Sequence, residues 1–446
     1  MQNNISNFWG IINTQGNRLS QFISFSIVAL LIAQPIFLFS IGGWVTRVGI
    51  AIYIACLISL IFDRLAPQQE NIKPTKLYWW IAFSLGTYFL ATGLSQIVNG
   101  TFVPNRLDAP SRLLFSILIF YAVFKYRIDF SKILQISIPL SITFFVLFIE
   151  LRPDQITLAK SFWGGRYSLP FIDPILLSAW LTCFGLISLT FTNDEVKFSS
   201  IVKNLIFMLV FGFTVFMAFT TESRTGWLAI PIMLIIFLFK PFKLWTKLLI
   251  TLIALACVIY MVTTFPIILN RLELAQLELR TYFTTGFQVT SVGARMEMGA
   301  LAIKALSLKP YFGWSETLFT NQEIASFLTK TYAEYTLFLA KNTGFHSDIY
   351  AAMVRSGALG IFAYLATFLT PLLLLFYFLI KGAKEVKNIA LAGLATMVTC
   401  MIASTTVEIL AYKYSVTIFS YLIAGLMAQA LWKHQMSKMN LESMAN

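Results

Sequence analysis

Charge is scarce in this 446-residue chain: 12% of its residues are Asp, Glu, Lys or Arg, against 58% hydrophobic. With a mean hydropathy of +0.75 there is too little polar surface to clothe a water-soluble body, which excludes an ordinary globular core. Cysteine is rare too. Cys56, Cys183, Cys257 and Cys400 all fall in apolar runs without paired spacing, so neither disulfides nor a zinc site is expected and they read as core thiols. Acidic clusters are missing as well: Asp108, Asp154, Asp173, Glu222 and Asp348 stand singly, with no Asp-x-Asp pair and no His pair at ligand spacing. No metal and no cofactor is therefore expected.

Long apolar runs take the place of these features. A spanning helix needs roughly 20 mostly apolar residues, and about twelve such stretches can be placed. They lie near 22–41, 44–62, 77–98, 111–125, 133–150, 173–191, 203–220, 225–239, 246–265, 349–380, 388–407 and 414–432. The first run lacks a small-residue cleavage site and reads as a retained span. The expected fold is an all-α polytopic membrane protein. Residues 1–265 form a bundle of nine spans, 266–347 a large external loop, and 348–446 three more spans with a cytoplasmic tail.

Positive charge sets the orientation. With the N-terminus inside, alternate connections carry Arg64, Lys73 and Lys76; Lys125, Arg127 and Lys132; Lys197 and Lys203; Lys240, Lys243 and Lys247; and Lys381, Lys384 and Lys387, with Lys433 and Lys438 in the tail. These connections read as cytoplasmic. His434, in "WKHQMSK", then belongs to a solvated basic tail. The net charge of +13 is in part this topology signal. Because the basic residues are spread over both sides of a bilayer, nucleic acid is not an expected partner.

One connection is unlike the others. About 80 residues separate the ninth and tenth spans, and loops of that length usually carry function. Within it, "ILNRLELAQLELRTYF" and "ARMEMGALAIKALSLKP" place Ile268, Leu269 and Leu272, then Met298, Leu301 and Ala305, near helical spacing. They read as partly amphipathic helices at the membrane interface, within a folded cap over the bundle.

Arginine on that outer side runs against the topological bias. Arg224, in "FTTESRTGWLAIP", sits in a very short turn between two apolar spans, where a guanidinium without a partner is expensive. It reads either as a snorkelling side chain or as a ligand group. Arg295, in "SVGARMEMGA", is likewise either the polar face of a loop helix or part of an anion site. Arg106, Arg112 and Arg166 add charge on the same side, which points to an anionic ligand held outside. The planar fork of arginine suits phosphate and keeps its charge in a partly dry site.

His346 stands just ahead of a glycine-punctuated helix in "GFHSDIYAAMVRSGALG". An imidazole of ordinary pKa, about 6.5, serves as a general base near neutral pH, and nearby arginines depress that value. The alternative is a helix-end histidine hydrogen-bonded to backbone.

His346-Ser347, nine residues, then Gly357 and Gly360 resembles the signature of bacterial O-antigen ligases, within the O-antigen ligase/polymerase superfamily. The "SRTGWL" stretch with Arg224 and "ARMEM" with Arg295 are similar to that family's two functional arginines, in the same order. The resemblance implies a GT-C-type glycosyltransferase of the bacterial inner membrane with its active site facing the periplasm. Such an enzyme moves a polysaccharide from undecaprenyl pyrophosphate to a hydroxyl of the lipid A core. It implies His346 as the base, Arg224 and Arg295 as the groups holding the donor pyrophosphate, and a metal-independent inverting displacement. Gly357 and Gly360 are expected to pack the tenth span closely against a neighbour, and Arg166, Arg112 and Arg355 are further candidate substrate contacts. An O-antigen polymerase or a protein O-oligosaccharyltransferase is the alternative within the superfamily. A lipid-linked sugar flippase is the alternative from another class, although the charged candidates cluster at one face and not at the midplane.

Overall fold

The computed structural model describes residues 18–65, 74–193, 197–240, 243–264, 266–286 and 290–445. Its helices in chain order are α1 (Arg18–Ile36), α2 (Trp44–Leu65), α3 (Lys76–Val98), α4 (Pro104–Lys125), α5 (Phe130–Leu151), α6 (Pro153–Phe162), α7 (Pro174–Thr190), α8 (Phe198–Thr220) and α9 (Arg224–Trp227). They continue with α10 (Ala229–Phe237), α11 (Leu244–Thr264), α12 (Pro266–Thr285), α13 (Ser291–Leu308), α14 (Gln322–Thr331), α15 (Glu334–Asn342), α16 (Asp348–Lys381), α17 (Lys384–Ser404) and α18 (Lys413–Ala445). Among the described residues eight helices are long and apolar enough to cross a membrane, and four shorter apolar helices fall at Phe22–Ile36, Pro174–Thr190, Arg224–Phe237 and Leu244–Ile253. The protein is an all-α polytopic membrane protein.

α18 is the most enclosed of these helices, with Phe419, Leu422, Leu426 and Leu431 wholly buried. It packs on α4, α17 and α2. Small residues permit the approach: a Cβ at Gly425 would lie 2.3 Å from the Phe130 ring, so the two elements fit only with glycine there. Cys56, Cys183 and Cys400 are buried free thiols, while the side chain of Cys257 lies outside the described residues.

Residues beyond α11 build a second body. Met298, Leu301, Ala302 and Ala305 of α13 form a separate core with Trp314, Leu328, Ala340, Phe345, Ala351 and Val354. α13 thus packs its apolar face onto the start of α16, while Leu269 on α12 is exposed; the side chains of Ile268 and Leu272 lie outside the described residues. Glu297 on α13 accepts hydrogen bonds from the Ala333 amide at 2.8 Å and from the Thr336 hydroxyl, stitching α13 to α15.

α16 is two helices joined at a break. Gly357 has φ 61° and ψ −145°, outside the helical region, and residues 310–315 run into the gap it opens. Trp314 and Ser315 amides donate to Val354 and Arg355 carbonyls at 2.8 and 2.9 Å, and Ala358 and Leu359 amides donate to Pro310 and Tyr311 carbonyls at 2.7 and 3.2 Å. Backbone groups freed at the break are thereby satisfied, as the bilayer demands. The sequence suggested that Gly357 and Gly360 serve packing against a neighbouring span. Instead, a Cβ at Gly357 would meet the backbone of 310–313, and one at Gly360 would meet Ala352 O and Ser356 of its own helix.

Two basic residues in stretches read as cytoplasmic are buried, His434 against the expectation of a solvated tail. Lys240 is fully buried and donates to the Leu189 and Thr192 carbonyls, closing the C-terminal end of α7. His434 is 5% exposed and lies between the Tyr377 and Phe378 rings at 5.7 and 5.4 Å.

Candidate functional site

The turn before α9 is fixed from several sides. Ser178 Oγ donates to Ser223 O at 3.2 Å, Trp227 Nε1 donates to Ala218 O at 3.1 Å, and the Thr225 and Thr406 hydroxyls pair at 2.8 Å. A Cβ on Gly226 would sit 2.7 Å from Ser178 O, so glycine is what lets this short helix press against α7. Arg224 is therefore carried by an anchored element and is not at the end of a loose turn.

Arg295 occupies the second turn of α13, whose N-cap Thr290 accepts from the Gly293 amide at 3.0 Å. Burial pushes the Arg295 guanidinium below its ordinary value, and the positive charge of Arg224 pushes it the same way, against a pull from Glu278. His346 lies beyond it. Burial lowers the imidazole pKa below its usual value, the Arg295 charge lowers it further, and Glu408 acts in the opposite sense. Arg224 thus acts on Arg295, and Arg295 on His346, which brings together residues from α9, α13 and the turn before α16.

That turn is held in an uncommon conformation. His346 has φ 50°, the left-handed region, which costs a residue bearing a Cβ roughly 1–2 kcal/mol. Its Nε2 lies 3.2 Å from Thr343 Oγ1, a side-chain partner and not a backbone one. On one side of the turn a cavity of about 850 Å³ has His346 in its wall, with Leu158, Phe162, Phe171, Ile175 and Val407 making it largely apolar. On the other side a polar pocket of about 340 Å³ is bordered by Arg106, Glu316, Arg355 and Glu408. Tyr412 lines both cavities, and burial raises its phenol to about 12, so it remains a hydroxyl donor.

Arg106, Arg112, Arg166 and Arg355 have protein partners. Arg112 pairs with Asp108 at 2.7 Å, which also pairs with Lys413 at 2.6 Å. Arg355 pairs with Glu408 at 2.8 Å and approaches Glu316 at 3.6 Å, with Arg106 on the same Glu316 oxygen at 3.2 Å. Arg166 donates to Thr221 O at 3.1 Å, which places it beside the turn that leads into Arg224. Arg112 and Arg355 are consequently ion-paired to neighbouring carboxylates. Sequence reasoning did not find Glu408 as the partner of Arg355, 53 residues away. Nor did it find Asp348, whose carboxylate accepts from the Ile409 and Leu410 amides at 3.0 Å each; a lone acid at a helix start gives no hint of such a distant tie. Among the described residues no group of three or more His, Cys, Asp or Glu side chains is placed to hold a metal ion.

Fold and site together define a multi-pass helical membrane protein with a cationic, partly buried site where its loop helices meet the bundle. Residues 208–365 match the family model for O-antigen ligase. Arg224, Arg295, His346, Gly357 and Gly360 all fall within the matched stretch. An uncharacterised protein of Haemophilus influenzae is 27% identical over 347 residues, spanning 75% of this chain and 82% of its own length.

Proposed function

We propose that this protein is an O-antigen ligase of the bacterial inner membrane that works at the periplasmic face. It transfers a polysaccharide from undecaprenyl pyrophosphate to a hydroxyl of the lipid A core oligosaccharide. The observation that carries the reading is the electrostatic run from Arg224 through Arg295 to His346, at the rim of an apolar cavity. Burial and the arginine charge keep the imidazole neutral, the form able to accept a proton. His346 takes the proton of the acceptor hydroxyl as its oxygen attacks the anomeric carbon. The bond from that carbon to the pyrophosphate oxygen breaks on the opposite face, inverting the centre. The leaving pyrophosphate departs as an anion neutralised by Arg224 and Arg295, so no acid carboxylate and no metal is required. The apolar cavity beside His346 suits the polyprenyl carrier of the donor.

The testing experiment supplies purified protein with lipid-linked glycan and either lipid A core or a second lipid-linked glycan, in the presence of a chelator. Transfer to lipid A core supports the ligase. Product only with the second lipid-linked glycan makes it a polymerase, and glycan on a serine- or threonine-containing peptide makes it a protein O-oligosaccharyltransferase. Movement of the lipid across vesicles without covalent product makes it a flippase.

A further inference from the structure

The loop between α17 and α18 is tied to the turn that carries His346 by two carboxylates facing opposite ways. Glu408 on the loop accepts the Phe345 amide at 2.5 Å, and Asp348 on α16 accepts the Ile409 and Leu410 amides at 3.0 Å. The left-handed residue His346 stands between the two tied positions. Glu408 has a 5% exposed side chain, and its second oxygen receives Arg355 Nη1 at 2.8 Å. The fit around it is close: a Cβ on Gly344, itself at φ +91°, would lie 2.2 Å from Glu408 Oε1. A buried carboxylate that engages one backbone amide and one guanidinium is costly unless both bonds persist, so the arrangement resists loosening.

We propose that Glu408 is the positioning residue for His346: its carboxylate fixes the peptide immediately before the imidazole and sets a negative charge against the arginines that face it. The charged and titratable groups around His346 come from every packed element. Arg295 lies on α13 with Arg224 behind it on α9, and Asp173, Tyr412 and Tyr414 share its cavity. Asp348 and Arg355 lie on α16, with Glu408 on the opposing loop. Glu408 opposes the effect of Arg295 on the imidazole, so this carboxylate bears on its protonation as well as on its place. The inference rests on the base role of His346 for its kinetic readout alone.

The test uses full-length protein in nanodiscs. Glu408→Gln keeps an acceptor for the Phe345 amide but removes the charge. The His346 ring resonance, assigned by its loss in His346→Gln, is expected to titrate about one pH unit lower than in wild type, the size expected for one nearby charge of this kind. The acid limb of kcat moves down with it while the donor KM is unchanged. Glu408→Ala also removes the acceptor, and kcat is expected to fall by about 100-fold. If Glu408→Ala does not fold, Glu408→Asp keeps the charge one methylene short and is expected to lower kcat without moving the acid limb. In wild type the Phe345 amide is expected to exchange slowly with solvent. An unshifted His346 titration in Glu408→Gln, wild-type kcat in Glu408→Ala or Glu408→Asp, or fast exchange at Phe345 overturns the proposal. Titration and exchange need no substrate, so an intact tie in a protein that transfers nothing would count against the base role and leave the positioning of His346 standing.

Discussion

Gly313 and Gly357 meet backbone to backbone. A Cβ on Gly357 would lie 2.7 Å from Gly313 N, and one on Gly313 would lie 2.6 Å from Gly357 N, with both residues at positive φ. The incoming 310–315 segment and the broken helix α16 therefore share one set of hydrogen bonds. Gly357→Ala is expected to destabilise the protein by about 2 kcal/mol or more, from left-handed strain plus a contact with backbone that has nowhere to go. Thermal unfolding in detergent measures it, and an unchanged midpoint would contradict the interlock.

Arg224 and Arg295 are proposed to hold the donor diphosphate through paired donors. Arg→Ala at either site is expected to weaken donor binding by about 2–5 kcal/mol, as for truncation of one partner of a desolvated charge pair. Arg→Lys is expected to restore little of it, because a point charge does not reproduce the fork. Titration of the variants with lipid-linked donor decides this; wild-type affinity in both Ala variants would remove the diphosphate reading.

The pH dependence has a definite sign. The folded His346 pKa lies below its ordinary value of about 6.5, so the neutral base persists below that pH and the acid limb of kcat/KM falls beneath it. Stability moves the same way. As pH drops from about 6.5 toward the lower folded value, the unfolded chain binds the proton that the folded chain refuses, and stability is lost across that window. A kcat/KM profile whose acid limb lies at or above 6.5 would refute the neutral imidazole.

The apolar cavity gives a separate handle on the donor. Val407→Trp or Ile175→Trp, each placing an indole into the 850 Å³ space, is expected to raise the donor KM several-fold. A short-chain donor is expected to be affected less. Equal effects on long- and short-chain donors would show that the carrier chain lies elsewhere.

The sequence showed the bundle readily because apolar runs and the bilayer permit little besides helices. Among the described residues Pro174–Thr190 and Arg224–Phe237, both placed as spans from the sequence, are apolar but shorter than a full span. His346, Arg224 and Arg295 could be named as candidates from residue type, with alternatives open for each, and given roles only through the resemblance. The ties of Glu408 to Phe345 and of Asp348 to Ile409 could not, because each links positions about 60 residues apart through a backbone amide that no residue type advertises. The break at Gly357 went unseen for a related reason: a small residue in an apolar helix suggests helix packing, while the partner here is a turn from the preceding loop.

The most direct measurement is single-turnover transfer of lipid-linked glycan to lipid A core by purified His346→Ala, compared with wild type at equal folded concentration. Loss of the proton acceptor is expected to slow transfer by about 10²–10⁴-fold while leaving donor binding unchanged. Transfer at the wild-type rate would contradict the account.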